Sequence, residues 1–175
     1  KVIQEREGGT LSFDFSLLDR WIEIFRSAGV RQIEGGHVAR REGGWESAIR
    51  WLRFPVYSPE GKEVPTSRDE VSDTTFEPFM RDFLHAVYTH LKEKGWGADY
   101  VQHVADEPIE ANWRSWVECC EKVKTWLPEV PIIDAVCCEQ VNEQVDIRVP
   151  QIQEISADSK PGTGQELWSY VCLAP

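Results

Sequence analysis

Two adjacent carboxylates, Asp106 and Glu107, follow a largely apolar run at residues 100–105 and precede Pro108. Proline suits the first turn of a helix and disfavours a helical conformation in the residue before it. We therefore expect a strand that ends at an extended Glu107 and a helix that begins at about Pro108. Two carboxylates that turn into one pocket repel each other, so one tends to hold a proton while the other stays ionised. Such a pair could supply a general acid and an anionic stabiliser.

A structural role for the same pair is the alternative. The free N–H groups at the start of a helix favour negative charge, so Asp106 and Glu107 could simply cap the helix that follows. A motif of three residues does not decide between the two roles.

Three helices are predicted around these carboxylates. Ser16 can cap the first, with Asp19 three residues later, and Gly29 can end it. The second runs from about residue 76 to 94 and the third from about 108 to 127, both with apolar residues at helical spacing. The predicted apolar face of the first helix comprises Leu17, Leu18, Trp21, Ile24, Phe25 and Ala28.

Five short apolar strands alternate with these helices: "VRQIEGGH", "YVQHVA", "PIIDAVC", "VDIRVP" and "ELWSYVCL". This alternation favours the α/β class, with a parallel sheet covered by helices. Five strands are fewer than the eight of a closed barrel. We therefore predict one partial (β/α) TIM-type barrel domain over residues 1–175, with a doubly wound sheet as the alternative. Residues 38–75 are polar and rich in Gly, Pro and Trp, and we expect a long loop there.

The composition and the missing motifs exclude several classes of protein. A formal net charge of -11 argues against a general nucleic-acid binder, which needs a basic surface. The apolar runs are shorter than the roughly 18 residues that span a bilayer, so we expect no membrane segment. No GxSxG, P-loop or HExxH motif occurs, and "GTG" at residues 162–164 lacks the third glycine of a dinucleotide site. His85 and His90 do not share a helix face, and we expect neither a metal nor a cofactor.

Five cysteines are present, and four of them form the vicinal pairs Cys119–Cys120 and Cys137–Cys138, with Cys172 apart. This is not the spacing of a disulfide framework, and no CxxC motif for zinc occurs. We expect the cysteines to be small apolar core residues. The sequence starts at "KVIQEREGG" without an initiator methionine, so we expect a fragment of a longer protein whose compartment and oligomeric state are open.

The chain resembles the catalytic domain of glycoside hydrolase family 123, the β-N-acetylgalactosaminidases and their relatives. The resemblance is carried by Asp106-Glu107-Pro108, by "LLDRWIEIFRSAGVRQIEGGH" upstream and by "LWSYVCLAP" downstream. It implies a barrel and a retaining exo-glycosidase that acts on terminal β-linked N-acetylgalactosamine or a related 2-acetamido sugar. Family members usually carry an amino-terminal β-sandwich and a complete barrel, and a secreted or periplasmic location fits the family. A catalytically inactive carbohydrate-binding or structural remnant of such a barrel is the alternative.

The mechanism that this resemblance implies is substrate-assisted. The 2-acetamido oxygen of the sugar attacks the anomeric carbon, so no protein nucleophile is needed and the usual facing of two carboxylates across the sugar does not apply. Carried over, Glu107 would protonate the glycosidic oxygen. Asp106 would orient the acetamido group and stabilise the oxazolinium intermediate.

Four further residues are candidates for binding the carbohydrate substrate. His37 ends a strand after two glycines, where the backbone can approach a ligand closely, and a loop-ordering role is its alternative. Asp134 is a polar residue inside an apolar strand and could bind substrate at the pocket floor. Trp168 and Tyr170 alternate on the last strand, so they share a face and could stack on a sugar ring and bind its hydroxyl groups. Ordinary barrel packing is the alternative for both.

Other aromatic and polar residues nearby have two interpretations each. Trp45 and Trp51 lie on the predicted long loop, where they could form outer sugar subsites or pin the loop to the surface. His103 precedes the acid pair and could be a buried group behind the pocket. Glu34 could face the pocket or stay solvated.

Overall fold

The computed structural model describes residues 2–4, 11–64, 73–136, 138–156 and 161–172. These residues form a mixed α/β fold of small sheets and helices, which divides into two compact units. Unit 1 comprises Lys1–Ile33 and Arg53–Asp99, and unit 2 comprises Glu34–Leu52 and Tyr100–Pro175. The acid pair and all other candidate site residues therefore belong to unit 2.

Short strands and a few helices make up the regular structure. The strands are β1 (Val2–Gln4), β2 (Leu11–Phe13), β3 (Ile33–Gly35), β4 (Ala39–Arg41), β5 (Ile49–Trp51), β6 (Val56–Tyr57), β7 (Glu63–Val64), β8 (Tyr100–Gln102), β9 (Ile133–Asp134), β10 (Ile147–Arg148) and β11 (Glu166–Leu167). The α-helices are α1 (Ser16–Ser27), α2 (Asp73–Glu93) and α3 (Trp113–Trp126), with short 3-10 helices at Gly97–Asp99, Glu139–Gln144 and Ile152–Glu154. Among the described residues, no helix has both the length and the apolar composition to cross a membrane.

Unit 1 contains a sheet with the strand order β2-β1-β6-β7. Strand β1 pairs antiparallel with β2 and parallel with β6, and β6 pairs antiparallel with β7. Strands β6 and β7 lie inside the segment predicted as one long loop, so that prediction is wrong there. Two-residue strands are too short to produce a visible period-two pattern.

Helix α1 of unit 1 begins at Ser16, so Phe15 holds the N-cap position and the prediction that Ser16 caps the helix is wrong. Asp14 Oδ1 accepts the backbone N–H of Ser16 at 3.0 Å. Asp19, expected to complete a capping box, instead lies 2.5 Å from His90 Nε2. A left-handed Gly29, with φ of 91°, follows the helix as predicted.

The predicted apolar face of α1 is wrong. Leu17 is 77% exposed, whereas Ile22 on another face is buried. The half-buried side carries Asp19 and Arg26 one turn either side of Ile22, and both have ion partners in unit 1. Arg26 Nη1 lies 2.6 Å from Asp99 Oδ2. Paired charges thus turn inward with Ile22, and apolar periodicity alone does not reveal which side is buried.

Unit 2 contains a row of strands that follows the order of the chain. Strand β3 lies beside β8, and β10 pairs in parallel with both β9 and β11. An isolated parallel bridge from Gln102 to Ile132 joins β8 to the start of β9, and another joins Gln151 to Tyr170. The five predicted strands are confirmed, each shorter than expected.

The order β3-β8-β9-β10-β11 bears on the two predicted architectures. Neighbouring strands of a barrel follow the chain in this way, whereas a doubly wound sheet reverses its order at a switch point. The row therefore favours part of a barrel. The described residues form no closed barrel, so the barrel stays a prediction.

A hairpin of β4 and β5 occupies another part of the segment predicted as a loop. Ala39 pairs with Trp51, and Arg41 pairs with Ile49, in an antiparallel register. Ala39, Ile49 and Trp51 are buried, which supports a packing role for Trp51 rather than an outer sugar subsite. Helix α3 packs against β5.

Apolar side chains of the strand row and of α3 form the core of unit 2. Val101, Ile133 and Ile147 make one buried cluster, and Trp168 packs against it. Trp116 on α3 is fully buried. This core fixes β8, β9 and α3, the elements on either side of the acid pair.

The cysteine prediction is partly confirmed. Cys119 and Cys120 are buried free thiols, and Cys138 is half-buried. Cys172 is exposed, so the core prediction is wrong for that residue. Cys137 lies outside the described residues.

Candidate active site

The acid pair lies on a loop beyond β8, not at the end of the strand. Strand β8 ends at Gln102 and helix α3 begins at Trp113. Glu107 has a left-handed backbone, with φ of 39°. The predictions of an extended Glu107 and of a helix starting at Pro108 are therefore wrong.

Hydrogen bonds from neighbouring segments explain this path. The carbonyl of Val104 accepts the N–H groups of Val38 at 3.0 Å and Ala39 at 2.9 Å, so the chain stays beside that segment after β8 ends. Asn112 precedes the first helical residue, and its Oδ1 accepts the N–H of Ile109 at 2.9 Å. The alternative role of the acid pair as a helix cap is wrong, because Asn112 holds that position.

The two carboxylates of the acid pair have different surroundings. Glu107 is half-buried, and the hydroxyl of Tyr170 donates a hydrogen bond to its Oε1. The guanidinium of Arg41 donates to the main-chain oxygen of Glu107. Asp106 is exposed, and its charge acts on His37. A carboxyl group held by the protein beside one open to solvent suits a pair with separate duties.

Asp134 is fully buried and ties β9 to the chain that leads to the acid pair. Its Oδ2 accepts the N–H groups of Val104 at 2.9 Å and Ala105 at 3.2 Å, and the indole N–H of Trp116 at 3.2 Å. Burial raises the pKa of the Asp134 carboxyl, and the hydrogen bond and charge of His103 oppose that rise. A buried carboxylate needs such donors, and here they set the position of residues 104–105.

His103 lies between two carboxylates. Its Nδ1 is 2.9 Å from Asp134 Oδ1, and its Nε2 is 3.4 Å from Glu34 Oε2. Burial lowers the pKa of His103, but the hydrogen bonds and charges of Asp134 and Glu34 outweigh burial and leave that pKa raised. The cluster of these three residues therefore favours the imidazolium form.

His37 stands beside this cluster with a different protonation preference. Its Nε2 is 3.7 Å from Asp134 Oδ1, and its ring meets the His103 ring edge-on at 5.1 Å between centroids. Burial, aided by the charge of His103, lowers the pKa of His37, although Asp134 and Asp106 act in the opposite direction. A neutral imidazole has one donor and one acceptor, which suits a hydroxyl-bearing ligand.

Of the two glycines before His37, Gly35 is required by the packing of the protein, whereas a Cβ on Gly36 would meet open space. A Cβ on Gly35 would lie 2.5 Å from the hydroxyl of Tyr100 and 2.6 Å from Oε1 of Gln102, so no side chain fits there. Gln102 Nε2 also donates to the Gly36 carbonyl at 2.8 Å. The expectation of close ligand approach is therefore wrong for Gly35, because protein side chains fill that space.

Three of these groups have the types and spacing of metal ligands. Ligand atoms of His37, His103 and Asp134 lie within 4.8 Å of one another. Both nitrogens of His103, however, already lie within hydrogen-bond distance of carboxylates, Nδ1 of Asp134 and Nε2 of Glu34. The geometry favours a hydrogen-bonded network, and the expectation of a site without metal stays a prediction.

The two aromatic candidates near β11 lie in different surroundings. Tyr170 reaches Glu107, whereas the Trp168 indole packs on the core cluster and donates to Glu166 Oε2 at 2.8 Å. The packing alternative is therefore supported for Trp168, and stacking on a sugar stays a prediction. Tyr170 contacts the side chain of Glu107, and the alternation of residues along the strand did not indicate this contact.

Sequence reasoning missed Arg41, Asn112 and Trp116 as parts of the site. An asparagine directly before an apolar helical pattern is a typical start of a helix, so Asn112 could have been found. Neither Arg41 nor Trp116 has a comparable sequence feature. Their contacts with Glu107 and Asp134 join residues far apart in the chain.

A polar cavity of about 320 Å³ opens beyond β9 and β10, and a hydrogen bond connects its rim to residues 106–112, which we call the acid loop. The Tyr170 N–H donates to the carbonyl of Pro150, which lines the cavity, at 3.2 Å. Gln140 Nε2 donates to Glu110 Oε2 at 2.5 Å and so joins the acid loop to the 3-10 helix at the cavity rim. The lining residues are Val136, Cys138, Glu139, Asn142, Arg148, Pro150, Glu154 and Ser156.

Comparison with known proteins places the chain in a family. The sequence matches the glycoside hydrolase 123 catalytic domain over residues 2–175. The chain therefore belongs to glycoside hydrolase family 123. No curated protein is significantly similar to it in sequence.

A solved structure has a similar fold. It is a family 123 glycoside hydrolase from Clostridium perfringens, whose structural analysis concerned glycolipid glycan hydrolysis. The TM-score is 0.61 at 20% sequence identity, and the match covers 98% of this chain. This chain spans 31% of the length of that structure.

Proposed function

We propose that this chain forms part of a retaining exo-glycosidase that removes terminal β-linked N-acetylgalactosamine, or a related 2-acetamido sugar, by substrate-assisted catalysis. Membership of family 123 supports glycoside hydrolysis. The observation that carries the mechanism is the asymmetry of the acid pair, in which Glu107 bonds to Tyr170 while Asp106 is exposed beside His37.

Glu107 is the proposed general acid. Its carboxyl proton passes to the glycosidic oxygen as the bond from that oxygen to the anomeric carbon breaks. The acetamido oxygen of the substrate forms the new bond to the same carbon and generates an oxazolinium ion. Water then attacks the anomeric carbon as the bond from that carbon to the acetamido oxygen breaks. Glu107 takes one proton of that water, and the sugar leaves with its acetamido group restored and its configuration retained.

Asp106 is the proposed partner of the acetamido group. Its carboxylate accepts the acetamido N–H and opposes the positive charge that develops on the oxazolinium ring. Adjacent carboxylates can share the work in this way because the sugar itself supplies the nucleophile. Two carboxylates facing each other about 5 Å apart across the sugar are therefore not required.

His37 and Asp134 are the proposed residues for binding the hydroxyl groups of this sugar, His37 by direct contact and Asp134 through its neighbours. His37 is partly exposed and can donate and accept, whereas Asp134 is fully buried and acts through His37 and His103. The cavity lined by Pro150 is proposed to accept the leaving group, because Tyr170 bonds both to the Pro150 carbonyl and to Glu107. Its polar lining suits a hydroxylated leaving group.

Replacement of Glu107 by glutamine in the complete protein tests this function. The variant cannot donate a carboxyl proton, so hydrolysis of an aryl β-N-acetylgalactosaminide should fall by roughly two to four orders of magnitude. Glu118→Gln, at an exposed position on α3, is the matched control and should keep the wild-type rate. Near-normal activity of Glu107→Gln would eliminate the acid role. Calorimetric binding of N-acetylgalactosamine without any turnover by the wild type would favour the inactive remnant.

A further inference from the structure

Arg41 on strand β4 binds the main chain of the proposed general acid rather than its side chain. We infer that Arg41 is a positioning residue, which holds the left-handed backbone of Glu107 and so directs its carboxyl group. The expected effect of Arg41 on the rate of hydrolysis rests on the proposed function. The claim that Arg41 holds the backbone of Glu107 rests only on the contacts that Arg41 makes.

The backbone of Glu107 needs an external constraint. Among the described residues, Glu107 is the one residue other than glycine that has a positive φ. Its side chain disfavours the left-handed region, and the following Pro108 disfavours compact conformations at this position. A residue in such a conformation persists only when surrounding contacts over-determine it.

Three contacts fix the guanidinium of Arg41 itself. Nη2 donates to the carbonyl oxygen of Glu107, and Nε donates to the carbonyl oxygen of Trp45 at 2.9 Å. The guanidinium carbon lies 3.9 Å from the centroid of the Trp45 ring. Arginine is planar and carries several donors, so it can stack and donate in two directions at once, which lysine cannot.

The same hairpin turn also holds the far end of the acid loop. Asn112 Nδ2 donates to the carbonyls of Trp45 at 3.1 Å and Ser47 at 3.2 Å. Asn112 Oδ1 accepts the N–H of Ile109. The β4–β5 hairpin therefore holds the acid loop at two points. Arg41 at the end of β4 binds Glu107, and the carbonyls of the turn bind Asn112, which in turn binds Ile109.

By holding the main chain of Glu107, Arg41 determines the direction in which the Glu107 carboxyl group points. A backbone released at Glu107 rotates the side chain away from Tyr170 and from the glycosidic oxygen. A general acid displaced by about 1 Å loses much of its effect. The displacement lowers the rate of hydrolysis for substrates whose leaving group needs a proton. It does not lower the rate for substrates whose leaving group departs without one.

The kinetic test compares Arg41→Ala with the wild type in the complete protein, on two aryl 2-acetamido-β-glycosides. With a phenyl leaving group, we expect kcat to fall about 100-fold, and with a 2,4-dinitrophenyl leaving group less than about 5-fold. KM should stay within about 3-fold for both substrates, because no sugar contact is removed. Arg40→Ala, at the exposed neighbouring position on β4, is the matched control and should change neither rate.

Two further measurements separate positioning from general stability. Free guanidinium ions should restore at least a tenth of the phenyl-glycoside rate of Arg41→Ala, because they can stack on Trp45 and donate to both carbonyls. Arg41→Lys should keep the fold and still lose activity, which also covers a failure of Arg41→Ala to fold. Equal losses with both leaving groups, or a wild-type rate in Arg41→Lys, would overturn the inference.

Crystal structures of the wild type and of both variants test the structural part without any substrate. We expect the positive φ at Glu107 and its contact with Tyr170 in the wild type, and the loss of both in the variants. Variants that keep both features contradict the inference, whatever their rates. A wild type that hydrolyses no 2-acetamido glycoside refutes the proposed function instead, and the crystal structures then decide the role of Arg41 alone.

Discussion

The hydroxyl of Tyr170 donates a hydrogen bond to Oε1 of Glu107, although the two residues are 63 positions apart in the sequence. Tyr170 is itself held by main-chain bonds to Pro150 and Ile152 on the segment after β10. The proposed acid is thus fixed from two directions, at its carboxyl group by Tyr170 and at its main chain by Arg41.

Tyr170→Phe removes the hydroxyl and keeps the ring. The Glu107 carboxyl group becomes charged as it gives up its proton, and a hydrogen bond to a charged group contributes about 1.5–3 kcal/mol. We therefore expect kcat on a phenyl glycoside to fall roughly 10- to 100-fold. Thermal unfolding should change little, because the ring stays in place. Tyr57→Phe in unit 1 serves as the control and should be fully active. Wild-type kcat in Tyr170→Phe would show that the contact does not serve catalysis.

Asp106→Asn keeps the shape of the side chain and removes its charge. Loss of electrostatic stabilisation of the oxazolinium should cost about 3–4 kcal/mol, which lowers the rate on acetamido substrates by roughly two to three orders of magnitude. A thiazoline that mimics the oxazoline should bind the wild type well and Asp106→Asn poorly, while Glu107→Gln weakens it less. If substrates without the acetamido group react equally fast, Asp106 is not the acetamido partner.

The raised pKa of His103 predicts a pH dependence of stability. In the folded protein His103 holds its proton more tightly than in the unfolded chain, because Asp134 and Glu34 face it and outweigh burial and the neighbouring His37. Its stabilisation is complete below the unfolded pKa of about 6.5 and is lost as the pH rises through the raised folded pKa. We therefore expect His103→Gln to lower the free energy of unfolding by a larger amount at pH 6 than at pH 9.

Denaturant unfolding of the wild type and of His103→Gln at both pH values measures this difference. Glu118→Gln, at an exposed position on α3, is the control and should show the same small change at each pH. An equal loss at pH 6 and pH 9 would mean that the charge of His103 does not stabilise the fold.

The strands of unit 2 could be predicted from sequence, and so could the order in which β8, the acid pair and a helix follow one another, although not the loop on which the pair lies. Their apolar runs are short, bounded by turn residues and separated by helical patterns, and these features are local. The conformation of Glu107 could not be predicted. Pro108 favours an extended residue before it, but the contacts with Arg41 and the Asn112 network decide otherwise, and these partners are distant in sequence.

The buried side of α1 could not be predicted from the local sequence pattern either. Apolar residues at 17, 21, 24 and 25 line one face of that helix, but Asp19 and Arg26 bind partners that are brought near only by the fold. Charge pairing across unit 1 therefore outweighs apolar periodicity in this helix.

The single carboxylate of Asp134 joins the fold and the site in one unit. Its two oxygens bind the main chain before the acid loop, the indole of Trp116 in the core and the imidazole of His103. One side chain therefore links the core of unit 2 to the segment that leads to the acid pair. A change at Asp134 or Trp116 is expected to disturb the acid loop together with the core, because both are joined to it through one carboxylate.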